Sequence, residues 1–264
     1  MGQAIALKPD GIVVGGFDAI EQNAALEQVK EAGIPFVGWH ATIEPGPDAK
    51  TGMFANVNTR IADVAQTAAD LAIVDSNGTA GVVIFGDSNY EMAIGKARMM
   101  EKAIKEGCPG CTVLRLEDSQ MTEASSRMPQ LTTSLLQRFG DKWTYSLAVN
   151  DLYYDFMGPS LAAAGKNGDD TPKNISAGDG SESVFQRIRS KQFQVATVPE
   201  PLQEQGWQLV DELNRAFAQE PWSGYVSGIH LVTADNIQFD GGPNNVFDPD
   251  NGYRDAYKKI WGVQ

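Results

Sequence analysis

Short apolar runs alternate with amphipathic segments of helical length along most of this chain. The apolar runs predict strands at Pro9–Gly16, Ile34–Trp39, Phe54–Val57, Gly81–Phe85, Thr112–Leu116, Thr144–Val149, Lys173–Ala177, Gln194–Val198 and Ile229–Thr233. The amphipathic segments predict helices at Ala19–Ala32, Thr59–Asp75, Asn89–Glu106, Glu123–Phe139 and Leu202–Gln219. This alternation indicates an α/β fold in which crossover helices join parallel strands.

Polar side chains follow three of the predicted strands, within the stretch Trp143–Pro201. Asn150, Asp179 and Glu200 each come just after an apolar run. Ligands of open parallel sheets bind beyond the carboxyl ends of the strands, so these groups are expected to face one cleft. Carboxylates and amides bind hydroxyl groups well, which favours a polyhydroxylated ligand. The competing interpretation is that Asn150 and Asp179 cap helices and that Glu200 is an exposed loop carboxylate.

Composition and charge narrow the class of protein. The chain has 264 residues, 42% of them hydrophobic, which is enough for one large or two ordinary globular domains. Its formal net charge of −13 argues against nucleic acid and anionic membranes as partners. No apolar run is long enough to span a bilayer, and no signal peptide precedes the first strand. The protein is therefore expected to be cytosolic, or the sequence to be a mature or trimmed form.

The motifs give no support for a cofactor or a metal. Neither glycine-rich phosphate-binding motif occurs, so nucleotide binding is not indicated. Cys108 and Cys111 form a C-x-x-C pair, which could be a redox pair, half of a metal site, a short-loop disulfide or two inert thiols. A zinc site needs two more ligands, and both histidines, His40 and His230, are remote in sequence. A structural disulfide or inert thiols are favoured.

The chain resembles the sugar-binding proteins of ABC transporters, of the ribose-binding type within the periplasmic binding protein type I family. The segments that carry the resemblance are, in order, KPDGIVVGG, AGIPFVGWHA, the strand end AVND, ISAGDGS and FQVATVPEPLQEQGWQLVDEL. It covers nearly the whole chain. It implies an α/β fold of two Rossmann-like lobes with parallel sheets, joined by a hinge and separated by a ligand cleft.

The resemblance also implies where the lobes begin and end. The first lobe is expected to comprise residues 1–57 and 200–264, and the second lobe residues 58–199. Crossovers are expected near 56–58, 199–201 and 235–242. Family members begin with two further β-α units, so this chain is expected to start at the third strand and to leave apolar strand edges exposed.

Several side chains are predicted to bind the ligand. Aromatic rings pack well on the C–H-rich faces of sugars, which makes Phe17, Trp39 and Tyr90 candidates for stacking, with core packing as the alternative. His40 lies where family members often have a sugar-binding polar residue. Asp87 and Asn89 follow a strand of the second lobe and are expected at the edge of the cleft. The remaining candidates are Asn150, Asp179 and Glu200, whereas Lys96 is expected on a solvated helix face.

The resemblance implies a binding protein that takes up a small sugar without chemistry and delivers it to the permease of an ABC transporter in the periplasm. A sugar-responsive transcriptional regulator is the first alternative, but the sequence shows no helix-turn-helix or basic arm. A glycosidase that uses paired carboxylates is the second alternative. No nucleophile–histidine arrangement is evident, so we predict that the protein is not an enzyme.

Overall fold

The computed structural model describes residues 1–16, 18–19 and 21–263, and these fold into two sheets with helices packed against them. Nearly all strand pairs are parallel, as the alternating pattern predicts. The predicted α/β fold with two lobes is therefore confirmed. None of the helices in the described part of the chain is long and apolar enough to cross a membrane.

The sheet of the first lobe has four strands in the order β1-β2-β4-β3. Their bounds are β1 Ile12–Gly15, β2 Phe36–Trp39, β3 Gly46–Asp48 and β4 Met53–Val57. The short β3 lies antiparallel to β4 and falls in a Pro/Gly-rich segment between two predicted strands. β1 forms an edge of this sheet, and Val13 on it is 47% exposed.

The sheet of the second lobe has six strands in the order β10-β9-β8-β7-β5-β6. Their bounds are β5 Gly81–Gly86, β6 Thr112–Asp118, β7 Tyr145–Ala148, β8 Lys173–Ser176, β9 Gln194–Thr197 and β10 Val232–Thr233. The central strand β5 is buried along its whole length, which explains its unbroken apolar sequence, because a parallel strand is covered on both faces.

The helices cover both sheets. Their bounds are α1 Gly2–Ala6, α2 Asn23–Glu31, α3 Ile61–Asp75, α4 Glu91–Gly107, α5 Ala124–Phe139, α6 Leu152–Asp155, α7 Gly158–Ala163, α8 Glu182–Arg189, α9 Leu202–Ala218, α10 Ile237–Asp240 and α11 Tyr253–Trp261. α9 packs on β2 and β4 of the first sheet, while α3 and α4 pack together on the second. Gly33, with φ +70°, follows the end of α2 in the left-handed conformation that commonly ends a helix.

The chain passes between the lobes in a way that the predicted boundaries describe only in part. β10 pairs antiparallel with β9, and Val232 and Ile237 pack against Phe185 of α8. The assignment of all residues from 200 to 264 to the first lobe is therefore wrong for this segment, which belongs to the second lobe. After α10 the chain returns to the first lobe, where α11 packs on α9.

Two local features of the sequence have clear structural outcomes. The aromatic residues of the C-terminal segment dock on α9, where Trp207 stacks on Trp261 with ring centroids 5.3 Å apart. Cys108 and Cys111 are joined by a disulfide, which closes the turn between α4 and β6. Of the alternatives that the sequence leaves open for the C-x-x-C pair, the short-loop disulfide is the one observed.

Candidate ligand-binding cleft

A cleft of about 280 Å³ lies between the two lobes. The first lobe lines it with residues that follow β1 and β2, namely Gly16, Asp18, Trp39, His40, Ala41 and Thr42. The second lobe contributes the start of α4 and the segments after β7 and β8, including Tyr90, Glu91, Lys96, Asn150 and Asp179. The cleft thus lies at the carboxyl ends of parallel strands from both sheets, where ligands of such sheets bind.

The structure brings together five of the residues that the sequence nominates and leaves three others outside the cleft lining. The residues that line the cleft are Trp39, His40, Tyr90, Asn150 and Asp179. Asp87, Asn89 and Glu200 are not among its lining residues. Phe17 lies outside the residues that the structure describes. The predicted strand ends therefore do converge, but their role in binding stays a prediction.

Trp39 and His40 form an aromatic platform at the end of β2. Their ring planes are stacked at 15°, with centroids 4.1 Å apart. The indole Nε1 of Trp39 donates a hydrogen bond to Gln205 on α9 at 2.8 Å, which fixes the ring. His40 has φ +53°, a left-handed conformation that is uncommon outside glycine. This residue, which follows the end of β2, lines the cleft.

The imidazole of His40 lies between two carboxylates. Its Nδ1 is 3.9 Å from Asp179 Oδ1 of the second lobe, and its Nε2 is 3.7 Å from Glu200 Oε1. The side chain is only 8% exposed, and Nε2 has no hydrogen-bond partner among the described residues. A buried polar nitrogen without a partner is unusual, so His40 has an unused capacity to bind a ligand group or a water molecule.

Asn150 and Asp179 form the polar wall of the second lobe. The amide of Asn150 donates to Asp179 Oδ2 at 3.3 Å, and its carbonyl accepts the backbone N–H of Leu152 at 3.0 Å. Asn150 therefore has both the capping role and the cleft position that the sequence suggests. The side chain of Asp179 is 40% exposed, so its carboxylate is accessible to a ligand in the cleft.

Asp151, the neighbour of Asn150, joins the ends of three strands beneath this wall. Its buried carboxylate accepts hydrogen bonds from the hydroxyls of Ser176 and Thr197 and from the backbone N–H groups of Gly180 and Ser181. Burial raises the pKa of Asp151, while the hydrogen bonds act in the opposite direction. This network holds Asn150 and Asp179 in fixed positions.

Glu200 lies behind the cleft, at the passage from β9 to α9. It is 3% exposed and accepts hydrogen bonds from Thr59 at 2.7 Å and Gln205 at 2.6 Å. Burial alone would raise the pKa of Glu200, but His40, Lys96 and the Thr59 hydroxyl outweigh it and lower the pKa to about 2. Glu200 is thus an ionised group that supports His40, whereas the sequence predicts direct ligand contact.

The two other nominated residues outside the cleft lie in the turn after β5. Asp87 is fully buried, and its carboxylate accepts the backbone N–H groups of Asn89 at 2.9 Å and Met121 at 2.8 Å. These bonds fix the turn that leads into α4. Asn89 itself is exposed. Asp87 therefore orders the loop beside the cleft and does not line it.

Among the cleft residues that the sequence reasoning missed, Lys96 and Asp18 carry charged side chains and make defined hydrogen bonds. Lys96 is only 4% exposed and donates to the backbone carbonyl of Ala177 at 2.7 Å, so its predicted solvated position is wrong. The sequence did contain a pattern that indicates burial of Lys96, because Ala93, Ala97 and Met100 of the same helix form a buried stripe beside it. The second residue, Asp18, accepts the backbone N–H of Glu91 at 2.9 Å, a contact between residues 73 positions apart that no local pattern reveals.

The chemistry of the cleft suits reversible binding of a small polar molecule. It combines an aromatic platform, an accessible carboxylate, an amide and a buried ammonium group. No group of three or more His, Cys, Asp or Glu side chains suited to a metal ion occurs within the described residues. Such a mixture of apolar rings and directed polar groups is typical of small-molecule sites.

Comparison with known proteins identifies the family. A family model described as periplasmic binding protein domain matches residues 1–221. No curated protein matches the sequence.

Several solved structures share the fold. A solute-binding protein of an ABC transporter from Agrobacterium vitis, bound with α-D-tagatopyranose, has a TM-score of 0.78 at 15% identity; the match covers 94% of this chain and 83% of that one. A sugar-binding protein of a sugar ABC transporter from Bacillus halodurans has a TM-score of 0.76 at 19% identity, with 90% and 82% covered. A periplasmic solute-binding protein from Actinobacillus succinogenes, with bound D-allose, has a TM-score of 0.74 at 18% identity, with 89% and 82% covered.

At these identities the structures show a shared fold. The family model is the stronger finding, because it spans most of the sequence, including both sides of the cleft. The chain belongs to the periplasmic binding protein domain family.

Proposed function

We propose that this protein is the solute-binding component of an ABC sugar importer, which binds a small sugar in the cleft between its lobes and releases it unchanged to a membrane permease. The observation that carries this proposal is the convergence of Trp39, His40, Tyr90, Asn150 and Asp179 on one cleft. Rings can stack on the faces of a sugar, while the carboxylate and the amide bind its hydroxyl groups. Structural relatives with bound D-allose and α-D-tagatopyranose support a sugar as the class of ligand.

We also propose that the protein works in the periplasm. The family supports a place outside the cytoplasm. The Cys108–Cys111 disulfide supports it independently, because structural disulfides persist in oxidising compartments. Movement of the lobes around the ligand would follow the hinge-closure mechanism common to two-lobed proteins.

Isothermal titration with a panel of pentoses, hexoses, sugar alcohols and furanosides tests the function. We expect at least one sugar to bind and to be recovered unchanged by mass spectrometry. Asp179→Ala should weaken that binding by about tenfold or more, since a hydrogen bond to a charged group contributes roughly 1.5–3 kcal/mol.

Asp169→Ala is the matched control, because Asp169 is an exposed carboxylate of the same lobe that does not line the cleft. Wild-type protein that binds no sugar in the panel would contradict the proposed function. A converted sugar would favour the glycosidase alternative. Equal affinity in the two variants would place the ligand away from Asp179.

A further inference from the structure

The start of α4 is capped by a side chain from the opposite lobe. Tyr90 occupies the N-cap position of α4 and makes no capping hydrogen bond with its side chain. Instead, Asp18 Oδ2 accepts the backbone N–H of Glu91, the first residue of the helix, at 2.9 Å. The first amides of a helix have no partner within the helix, and a carboxylate there is favoured by both hydrogen bonding and the helix dipole.

The two partners belong to different rigid parts of the molecule. Asp18 follows β1 of the first lobe, where its other oxygen, Oδ1, accepts the backbone N–H of Glu21 at 3.0 Å. Glu91 begins a helix that packs on α3, β5 and β6 of the second lobe. The contact lies at the mouth of the cleft, since both residues line it. A rotation that opens the cleft at this point separates the two atoms.

We propose that Asp18 and the amide of Glu91 form a latch between the lobes, which sets ligand affinity by stabilising the closed form. Asp18 is thus a positioning residue that acts through the helix N-terminus. When the competent form is only partly populated, the apparent Kd is the intrinsic Kd divided by the populated fraction. Loss of the latch lowers that fraction and weakens binding by the same factor. The effect on affinity rests on the proposed function, whereas the effect on lobe position does not.

Glu91→Pro is the sharpest test, because it removes the donor and leaves the helix intact. Proline is well tolerated at the first position of a helix, where its missing N–H has no partner within the helix. The residue before a proline must be extended, and Tyr90 already is, with φ −124° and ψ 116°. Glu91→Ala is the matched comparison, since it loses the same side chain but keeps the N–H group.

Two measurements are made on each variant. The first is the interlobe distance in ligand-free protein, measured by double electron–electron resonance between two spin labels. The labels are attached at Glu31→Cys on the first lobe and Lys102→Cys on the second, both of which are exposed positions. The native cysteines are bonded to each other and do not compete for label. The second is the affinity for a sugar that the wild-type protein binds.

We expect Glu91→Pro to populate longer interlobe distances than Glu91→Ala and to bind sugar about three- to tenfold more weakly, the loss expected of one N-cap interaction. Asp18→Ala should shift the distance in the same way, and combining it with Glu91→Pro should add nothing. Asp18→Asn should keep only part of the latch, because asparagine has one acceptor oxygen where Asp18 uses two, one for Glu91 and one for Glu21.

Identical distances and affinities in Glu91→Pro and Glu91→Ala would overturn the latch. An affinity loss in Asp18→Ala without a change in distance would also overturn it, because it would mean that Asp18 binds the ligand directly. If the wild-type protein binds no sugar, the proposed function fails. The distance measurement alone then still tests whether the contact between Asp18 and Glu91 holds the lobes together.

Discussion

His40 is the residue at which the two lobes and the hinge meet. Its imidazole lies within 4 Å of carboxylates on either side, Asp179 at 3.9 Å and Glu200 at 3.7 Å. A protonated imidazole would be attracted to both carboxylates, and a ligand hydroxyl could bind either nitrogen of the neutral form. The strained backbone at this position is consistent with a functional role, since such conformations cluster at ligand sites.

The ionisation of Glu200 gives a prediction about acid stability. Its pKa is lowered from 4.5 to about 2, so the folded state binds the proton less well than the unfolded state. The resulting stability is present above the unfolded pKa and is lost as the pH falls toward the folded value. From about pH 5 to pH 3, the free energy of unfolding should fall by about 2 kcal/mol more in the wild-type protein than in Glu200→Gln.

Urea unfolding at stepped pH measures this difference. Glu220→Gln serves as control, because Glu220 is exposed at the end of α9 and should leave the pH dependence unchanged. Parallel pH profiles for the wild-type protein and Glu200→Gln would mean that Glu200 titrates normally in the folded state.

At the scale of single residues, sequence reasoning locates strand ends well and side-chain direction poorly. Asn150 and Asp179 reach the cleft because the carboxyl ends of parallel strands share one edge of the sheet. Asp87 follows the same rule, yet its carboxylate accepts the backbone N–H groups of Asn89 in its own loop and of Met121 after β6. Which partner such an aspartate takes depends on where the next loop passes, and no local pattern encodes that.

Among the elements, the parallel strands and the helices α2, α3, α4, α5 and α9 were predicted, because each has a strong hydrophobic period. The exceptions among the strands are short and have little period. β3 has three residues and includes a proline, and of the predicted strand Ile229–Thr233 only the two residues of β10 form a strand. Their strand conformation comes from neighbours far away in sequence, so tertiary pairing decides it.

Two glycines within elements should respond to alanine in opposite ways. Gly206 lies exposed inside α9, and a Cβ there would meet nothing within 4 Å. Gly206→Ala should raise the free energy of unfolding by about 0.5–1 kcal/mol, because alanine favours the helix. At Gly81, the first residue of β5, a Cβ would lie 1.8 Å from the carbonyl oxygen of Lys142, so Gly81→Ala should destabilise strongly.

Chemical denaturation of both variants checks this pair. The backbone near Gly81 must move to admit a methyl group, and overpacking of this kind costs roughly 1–3 kcal/mol or more. Gly81→Ala with wild-type stability would show that the junction before β5 is loose. A destabilised Gly206→Ala would show that the exposed face of α9 has a packing partner.

For the molecule as a whole, the order of elements predicts the α/β fold and the resemblance to the family predicts its two lobes, but neither predicts every passage between the lobes. β10 and α10 were assigned to the first lobe because the resemblance places residues 200–264 there. The antiparallel pairing of Val232 with Thr197 and of Thr233 with Ala196 shows that this stretch completes the second sheet. Tyr253, Tyr257 and Trp261 recur every four residues, which places their rings on one face of α11, where each contacts Trp207 of α9.

The repeated passage of the chain between its lobes has a consequence for inheritance. The first lobe is assembled from stretches around β1–β4, α9 and α11, and the second lobe from the stretches between them. Neither lobe is therefore encoded by one continuous part of the gene. A recombination event with a single breakpoint cannot exchange one lobe for that of a relative. A breakpoint near residue 57 would exchange the cleft residues of the first lobe without α9 and α11, which complete that lobe, so point substitutions at the strand ends are the simpler route to a new ligand.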